Sequence, residues 1–499
     1  MKRTHKASDL ETPFRIAILG DFSGRGNREV SEAVDKRRFQ IVDRDNFDEV
    51  LAKLKVEVYL PILGKTTPPI RIRFSELDDF HPDRLFENIE VFEGLKETRQ
   101  GLKDSSIFGS IVKKSQETQK RPSASGTPKD TEKLFQKISG EKTEGLLDQI
   151  LEETAEEPSQ RGLPRESSEW DNFLRGIVQP HVVPDVHQKQ AERVASVDAA
   201  ASELMRRILH HPDFQAIEAA WRALYFLVSR LETDSELKLY LLDITKEELA
   251  ADLCTSRDLR STGTYKLIVE QSVETLGEEP WAVLAGNYTF DYTREDAEVL
   301  ARIAKIGKRA GAPFISATSD HLLGCKSLVE TPDPDDWKRS AEKESLQAWK
   351  ALKKLPEASY MGLALPRFLL RVPYGQDTEP IESFQFGEME AKPVHSHYLW
   401  GNPSFACAYL IGQTFSVSGW KFQPGMIQDI EGLPVHIHRE GGEPRMKPCA
   451  EVVLAERAVE EILGKGLMPL LSFKNQDRIR IARFQSFADP PTGLAGRWA

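Results

Sequence analysis

FRIAILGDFSGRGN, residues 14–27, sets a short apolar run against a turn studded with glycines. FRIAILG reads as a buried strand closed by Gly20. The turn after it has the look of a phosphate loop, and spacing decides the matter. A P-loop needs four residues between its glycines and then Lys-Ser/Thr; a dinucleotide fingerprint needs G-x-G-x-x-G opening a helix. Gly20, Gly24 and Gly26 give G-x-x-x-G-x-G followed by Asn27, which fits neither. The stretch therefore reads as the first strand and turn of an α/β unit, with glycine permitting positive φ.

The neighbours agree. FQIVDRDNFDEVLAKL (39–54) starts as a strand and becomes a helix near Asn46, with Val50, Leu51 and Leu54 on one face. VEVYLPI (56–62) and IRIRF (70–74) alternate like strands, and SELDDFHPDRLFENIEVFEGL (75–95) is a final helical stretch. Residues 13–100 thus form a small α/β domain, and its first strand is expected to help build a sheet that packs against the C-terminal unit.

Residues 101–185 differ in character. KKSQETQKRPSASGTPKDTEK is polar and rich in Ser, Thr, Lys and Pro, a composition that cannot offset the entropy of ordering. A largely disordered linker is expected there, spanning roughly 45 Å root-mean-square for about 60 residues. One island interrupts it near 143–155. In GLLDQILEET, Leu146, Leu147, Ile150 and Leu151 form one apolar face of a short helix that is marginal alone and needs a docking surface.

Residues 186–499 form the larger domain. Val194, Val197, Ala201, Leu204 and Ile208 step along one helix; Phe214, Ile217, Trp221, Leu224, Val228 and Leu231 step along a second, with Pro212 suited to its first turn. LKLYLLDI (237–244), WAVLAG (281–286) and PFISATS (313–319) read as strands around an amphipathic helix at 294–312, which implies βαβ units. After Trp400, FACAYLIGQTF and LPVHIHR read as strands, so the C-terminal part is expected to be β-rich. The fold class is α/β (α+β).

The chain has 499 residues, 40% apolar and 29% charged, enough for two or three domains. A net charge of -11 disfavours nucleic acid as the main partner. The start, MKRTHKASDLETPF, has no apolar core of signal-peptide length, and no run is long enough to span a bilayer. Cys254, Cys325, Cys407 and Cys449 are scattered and read as free thiols.

A search for chemistry returns little. There is no G-x-S-x-G, no H-E-x-x-H and no P-loop. His395/His397 and His436/His438 could each share a strand face, but neither pair has a third ligand at a recognisable spacing. His210 and His211 read as a cap or packed turn. Arg367 and Arg371 flank FLL one helical turn apart, either a substrate clamp or, more simply, partners of nearby Glu residues. No catalytic, cofactor-binding or metal site is expected, and the chain is read as a non-enzyme.

The larger domain resembles the large contractile-sheath subunit of type VI secretion systems (TssC or VipB). The resemblance is carried by LHHPDFQAIEAAWRALYFLVSRLETDSELKLYLLDITKEELAADL (209–253), APFISATSDHLLG (312–324), SYMGLALPRFLLRVPYG (359–375), HYLWGNPSFACAYLIG (397–412) and LMPLLSFKNQDRIRIARFQS (467–486). The first domain resembles the small sheath subunit (TssB or VipA) through FRIAILGDFSGR and IVDRDNFDEVLAKL. The resemblance implies a fused pair in the bacterial cytoplasm. Its implied partners are itself and other sheath subunits, the Hcp inner tube that contraction would eject, baseplate proteins, and the ClpV ATPase that dismantles the contracted sheath. It likens GLLDQILEET to the helix that ClpV recognises in some members; docking on its own chain is the alternative. The family normally continues beyond SFADPPTGLAGRWA with strands that link neighbouring dimers by β-augmentation. That difference implies the alternative role of an accessory protein that nucleates, caps or adapts the sheath without polymerising.

Overall fold

A computed structural model describes residues 12–62, 67–103, 190–275, 277–338, 342–390 and 393–498. The elements of the N-terminal part are β1 (Phe14–Gly20), β2 (Gln40–Val42), α1 (Phe47–Leu54), β3 (Val56–Leu60), β4 (Ile70–Phe74), α2 (Pro82–Asn88) and α3 (Glu93–Lys103). The larger part opens with two long helices, α4 (Gln190–Leu209) and α5 (Pro212–Arg230), then β5 (Leu237–Asp243) and α6 (Lys246–Thr255). A π-helical segment (Lys266–Glu274) leads to β6 (Val283–Phe290), α7 (Arg294–Ala310), β7 (Phe314–Thr318), α8 (Lys343–Lys353) and β8 (Met361–Leu365). The chain ends through β9 (Phe368–Leu369), β10 (Trp400–Gly401), α9 (Pro403–Ser418), β11 (Asp429–Ile430), β12 (Ile437–Glu440), β13 (Glu443–Met446), α10 (Glu456–Gly464), β14 (Met468–Ser472) and β15 (Ile479–Ile481).

One nine-stranded sheet organises the molecule, in the order β11-β15-β14-β8-β7-β6-β1-β5-β2. β1 lies inside it, parallel to β5 on one side (Phe14↔Leu237 through Gly20↔Asp243) and to β6 on the other (Ile16↔Val283 through Leu19↔Gly286). The first strand therefore does not build a separate sheet that packs against the larger unit; it is a strand of that unit's own sheet. All seven of its residues are buried, which explains an apolar run without strand alternation: both faces are covered. Phe14, Ile16 and Ile18 enter one core with Leu237, Leu239 and Leu241. Ala17 and Leu19 enter the opposite core with Tyr240 and Leu242. Burying each large side chain contributes roughly 1.5–3 kcal/mol before the entropy of ordering the chain is set against it.

The first core is roofed by α4, α5 and α9 and by the N-terminal elements α1 to α3; the second by α6, the π-helical segment, α7 and α8. β3 and β4 pair antiparallel outside the main sheet, Val56↔Phe74 to Leu60↔Ile70. The helix starts follow their caps: the His211 side chain accepts the Asp213 amide with Pro212 next in line, and Thr245 with Glu248 forms a capping box.

FACAYLIGQTF is helix, not strand. Asn402 caps α9 by accepting the Ser404 amide, and Pro403 sits in its first turn. Phe405, Ala406, Cys407, Ala408, Leu410 and Ile411 are all buried. A helix covered all round loses its 3.6-residue pattern and is indistinguishable from a buried strand by periodicity. Gly412 lets it close on the sheet: a Cβ there would meet Ile16 Cδ1 at 3.3 Å and Leu231 Cδ1 at 3.2 Å. Arg367 and Arg371 bracket strand β9, so they are not on one helical face. LPVHIHR does contribute β12, hairpin partner of β13. Among the described residues no helix is long and apolar enough to cross a membrane.

Candidate assembly interface

The seam between the N-terminal part and the larger part combines polar and apolar contacts. It begins at the end of β1. Asp243, the last residue of β5, accepts the amides of Phe22 (2.8 Å) and Ser23 (3.1 Å) and the Ser23 hydroxyl (2.7 Å). Asp21 turns its carboxylate into the glycine loop and accepts the amides of Gly24 (2.8 Å), Arg25 (3.0 Å) and Gly26 (2.8 Å). A ring of backbone N–H groups like this is what a phosphate would take; here the chain's own carboxylate fills it. Burial pushes the Asp21 carboxyl up, and neighbouring Asp243 adds to the shift against the opposing amides. Gly24 has φ +74°, and a Cβ there would sit 2.3 Å from the Glu57 carbonyl oxygen, so the loop can lie directly on β3.

Two arginines close the loop. Arg25 stands 3.6 Å from the Asp243 carboxylate, and Arg37 donates to the Asp243 carbonyl (2.9 Å) and to Glu248 (2.9 Å). Burial acts to raise the Glu248 carboxyl, but Arg37 and the Thr245 amide outweigh it and leave it lowered. Open parallel sheets usually bind ligands beside the strand C-termini where the strand order reverses. In this sheet that place is taken by the 21–27 loop.

At the other end of β1 the Arg15 side chain is buried between Tyr240 and Trp281, 4.4 Å and 4.1 Å from their ring centroids, and donates to the Glu279 carbonyl. Desolvated cation–π contacts of this kind are among the stronger ones. Above the sheet, Trp221 of α5 donates to the Phe22 carbonyl at 2.7 Å, and the rings of Phe22 and Phe47 meet it edge-on at 5.6 and 5.4 Å. Asn27 binds the Tyr59 backbone in both directions and the Asp213 carboxylate at 2.9 Å. Phe74 and Phe80 stack at 4.0 Å and present edges to Phe214. Asp83 accepts the amides of Glu382 (3.0 Å) and Ser383 (2.9 Å), and Arg99 pairs with Asp198 at 2.6 Å.

Arg367 and Arg371 are both ion-pair residues. Arg367 binds Glu451 at 2.6 Å. Arg371 is buried and bridges Glu218 (2.8 Å) and Glu388 (2.7 Å), and Glu218 also holds Arg222 at 2.7 Å. Burial acts to raise the Glu388 carboxyl, yet the Arg371 charge and the surrounding hydrogen bonds hold it at about 2.

The four apolar residues of the expected partner helix, Leu146, Leu147, Ile150 and Leu151, lie outside the described residues. His395 and His397 sit in a 3₁₀ turn rather than a strand, and His436 bonds the Tyr398 hydroxyl at 2.8 Å. Among the described residues no group of three or more His, Cys, Asp or Glu is placed to hold a metal ion. Asp21, Asp243, Arg15 and Arg37 belong to no recognisable motif of the sequence. The available signal was an ionisable residue within or directly after a buried apolar run, as in FRIAILGD and LKLYLLD.

Comparison with known proteins matches both parts. The family described as "EvpB/VC_A0108, tail sheath N-terminal domain" (VipB) covers residues 191–488, and the VipA family of the type VI secretion system covers residues 2–120. The type VI secretion system sheath protein TssC1 of Pseudomonas aeruginosa is 35% identical over 303 residues, covering 60% of this chain and 61% of that protein. The sheath protein TssB1 of the same organism is 29% identical over 97 residues, covering 19% of this chain and 56% of that protein. The chain spans about three-fifths of the length of the curated relatives it matches. It belongs to the tail-sheath family of type VI secretion systems, and it carries a TssB-like and a TssC-like sheath part in one polypeptide.

Proposed function

We propose that this chain is a mechanical, non-catalytic building block of a type VI contractile sheath in the bacterial cytoplasm. Copies of it, with other sheath subunits, would assemble around the Hcp inner tube and eject it on contraction. The observation that supports this best is the place of β1, hydrogen-bonded on both edges inside the TssC-like sheet. A subunit pair joined through a shared central strand transmits force through the sheet ladder rather than through a side-chain contact alone. The sheet ends at β2 and β11, whose outer edges have no partner strand among the described residues. Such edges accept strands from neighbours by augmentation. A sheath stores free energy in one set of subunit contacts and releases it on switching to another, a bistable assembly that needs interfaces and no active site. The Leu146, Leu147, Ile150 and Leu151 face is the part proposed to meet a ClpV-type ATPase, with baseplate proteins as end partners of the assembly.

Electron microscopy of the purified chain, with and without Hcp, tests the reading. Tubes or stacked rings are the expected result. Mass photometry that finds monomers alone at micromolar concentration, with Hcp present, would contradict it.

A further inference from the structure

Six of the eleven histidines gather around one turn: His210, His211, His395, His397, His436 and His438. The His210 and His397 rings stack at 3.8 Å and 12°. His210 Nε2 is buried without a hydrogen-bond partner, 3.7 Å from a Glu388 carboxylate oxygen. The stacking sets the two rings face to face, so that charge on both would place one cation directly against the other. Glu203, Arg206 and Arg207 of α4, with His211 and Glu390, line the surrounding groove.

His395 is constrained from both sides. Its Nε2 lies 3.2 Å from Glu451, which accepts, and its Nδ1 lies 3.2 Å from the Lys447 ammonium, which donates. A neutral ring with its proton on Nε2 satisfies both partners. A second proton on Nδ1 would face the ammonium directly. Arg367 shares Glu451, so the carboxylate already has a cation. His436 bonds Tyr398 through Nδ1, has the His438 ring 5.8 Å away, and accepts the Lys447 amide on its carbonyl. These contacts tie the β12–β13 hairpin to the 395–401 segment.

We propose that this histidine cluster is a proton-operated latch, closed near pH 7.5, which opens on mild acidification to free the β12–β13 hairpin and the 395–401 segment while the nine-stranded sheet stays folded. Burial, then the neighbouring ring, lowers the pKa of His397 (His210) and of His436 (His438). The unfolded segment therefore binds more protons than the folded one below the ordinary histidine value. The stabilisation is complete above about pH 6.5 and is lost as pH falls through the folded values. Glu388 and Glu451 are held at about 2 and stay charged throughout that window. The hairpin is the surface that would be reshaped; Ile437 on it is 61% exposed.

Hydrogen exchange followed by mass spectrometry on the full chain, corrected for the intrinsic pH dependence of exchange, tests the latch. Peptides covering 393–402 and 436–447 should lose about tenfold in protection between about pH 7.5 and 5.5. Peptides of β1, β5 and β6 should hold theirs. The double variant His397→Phe with Lys447→Gln, which keeps a ring on His210 and removes the charge facing His395, should retain protection at the lower pH. Unchanged protection in the unmodified chain, or equal loss across the whole sheet, would overturn the proposal. Because that reading uses the unmodified chain, a variant that fails to fold does not decide it.

Discussion

At the scale of single residues, the seam is built from ionisable groups that the chain answers internally. Asp21 fills the loop that resembles a phosphate cradle, and Asp243 binds the amides that follow. Arg371 shows the same logic in a fully buried setting, with Glu218 and Glu388 on either side. Replacing one member of such a cluster leaves uncompensated charge, at a cost of about 3–5 kcal/mol. Arg371→Leu should therefore lower the unfolding free energy by about that amount in urea. The pH profile carries the sign. Glu388 is held at about 2 against an ordinary 4.5, so its contribution is present above pH 4.5 and fades as pH falls toward 2. In Arg371→Leu the carboxyl should titrate higher, so the pH dependence of stability near Glu388's ordinary range should flatten or reverse; an unaltered profile would show that Arg371 does not hold it down.

At the scale of elements, β1 is the piece on which the rest depends. It is short, wholly buried and paired along both edges. Ala17→Pro removes a ladder donor and imposes a φ of about −65° in the middle of the sheet, at a cost of several kcal/mol. Limited proteolysis should then cut the N-terminal part free of the folded body, whereas an unchanged digestion pattern would argue against a central position for β1. Much of this architecture was legible in the chain. The alternation in VEVYL and IRIRF marks strands, although only IRIRF leaves one face exposed while Glu57 of VEVYL is buried, and the three-four spacing from Phe214 to Leu231 marks α5. The internal place of β1 was not legible, because an apolar run says that both faces are covered and not by whom. FACAYLIGQTF misled for the related reason that α9 is covered on nearly every side. The candidate seam was partly legible: the glycine spacing excluded a nucleotide loop, and Arg371 was expected to find glutamates. The partners of Arg15 and of the Phe22 amide, Glu279 and Asp243, lie more than 200 residues away, and no local pattern encodes them.

At the scale of the whole molecule, two sheath parts share one sheet and the cores on both its faces, although 86 residues, 104–189, separate their described portions. If β1 is an internal strand, covalent linkage is a convenience of assembly and not what holds the parts together. The core around Phe14, Trp221, Phe74 and Phe214 should do that unaided. The decisive measurement places a protease site within residues 121–130, cleaves the folded protein, and passes it through a sizing column without denaturant. Both fragments should elute together at the mass of the uncut chain and separate only in denaturant. Fragments that part under native conditions would contradict it.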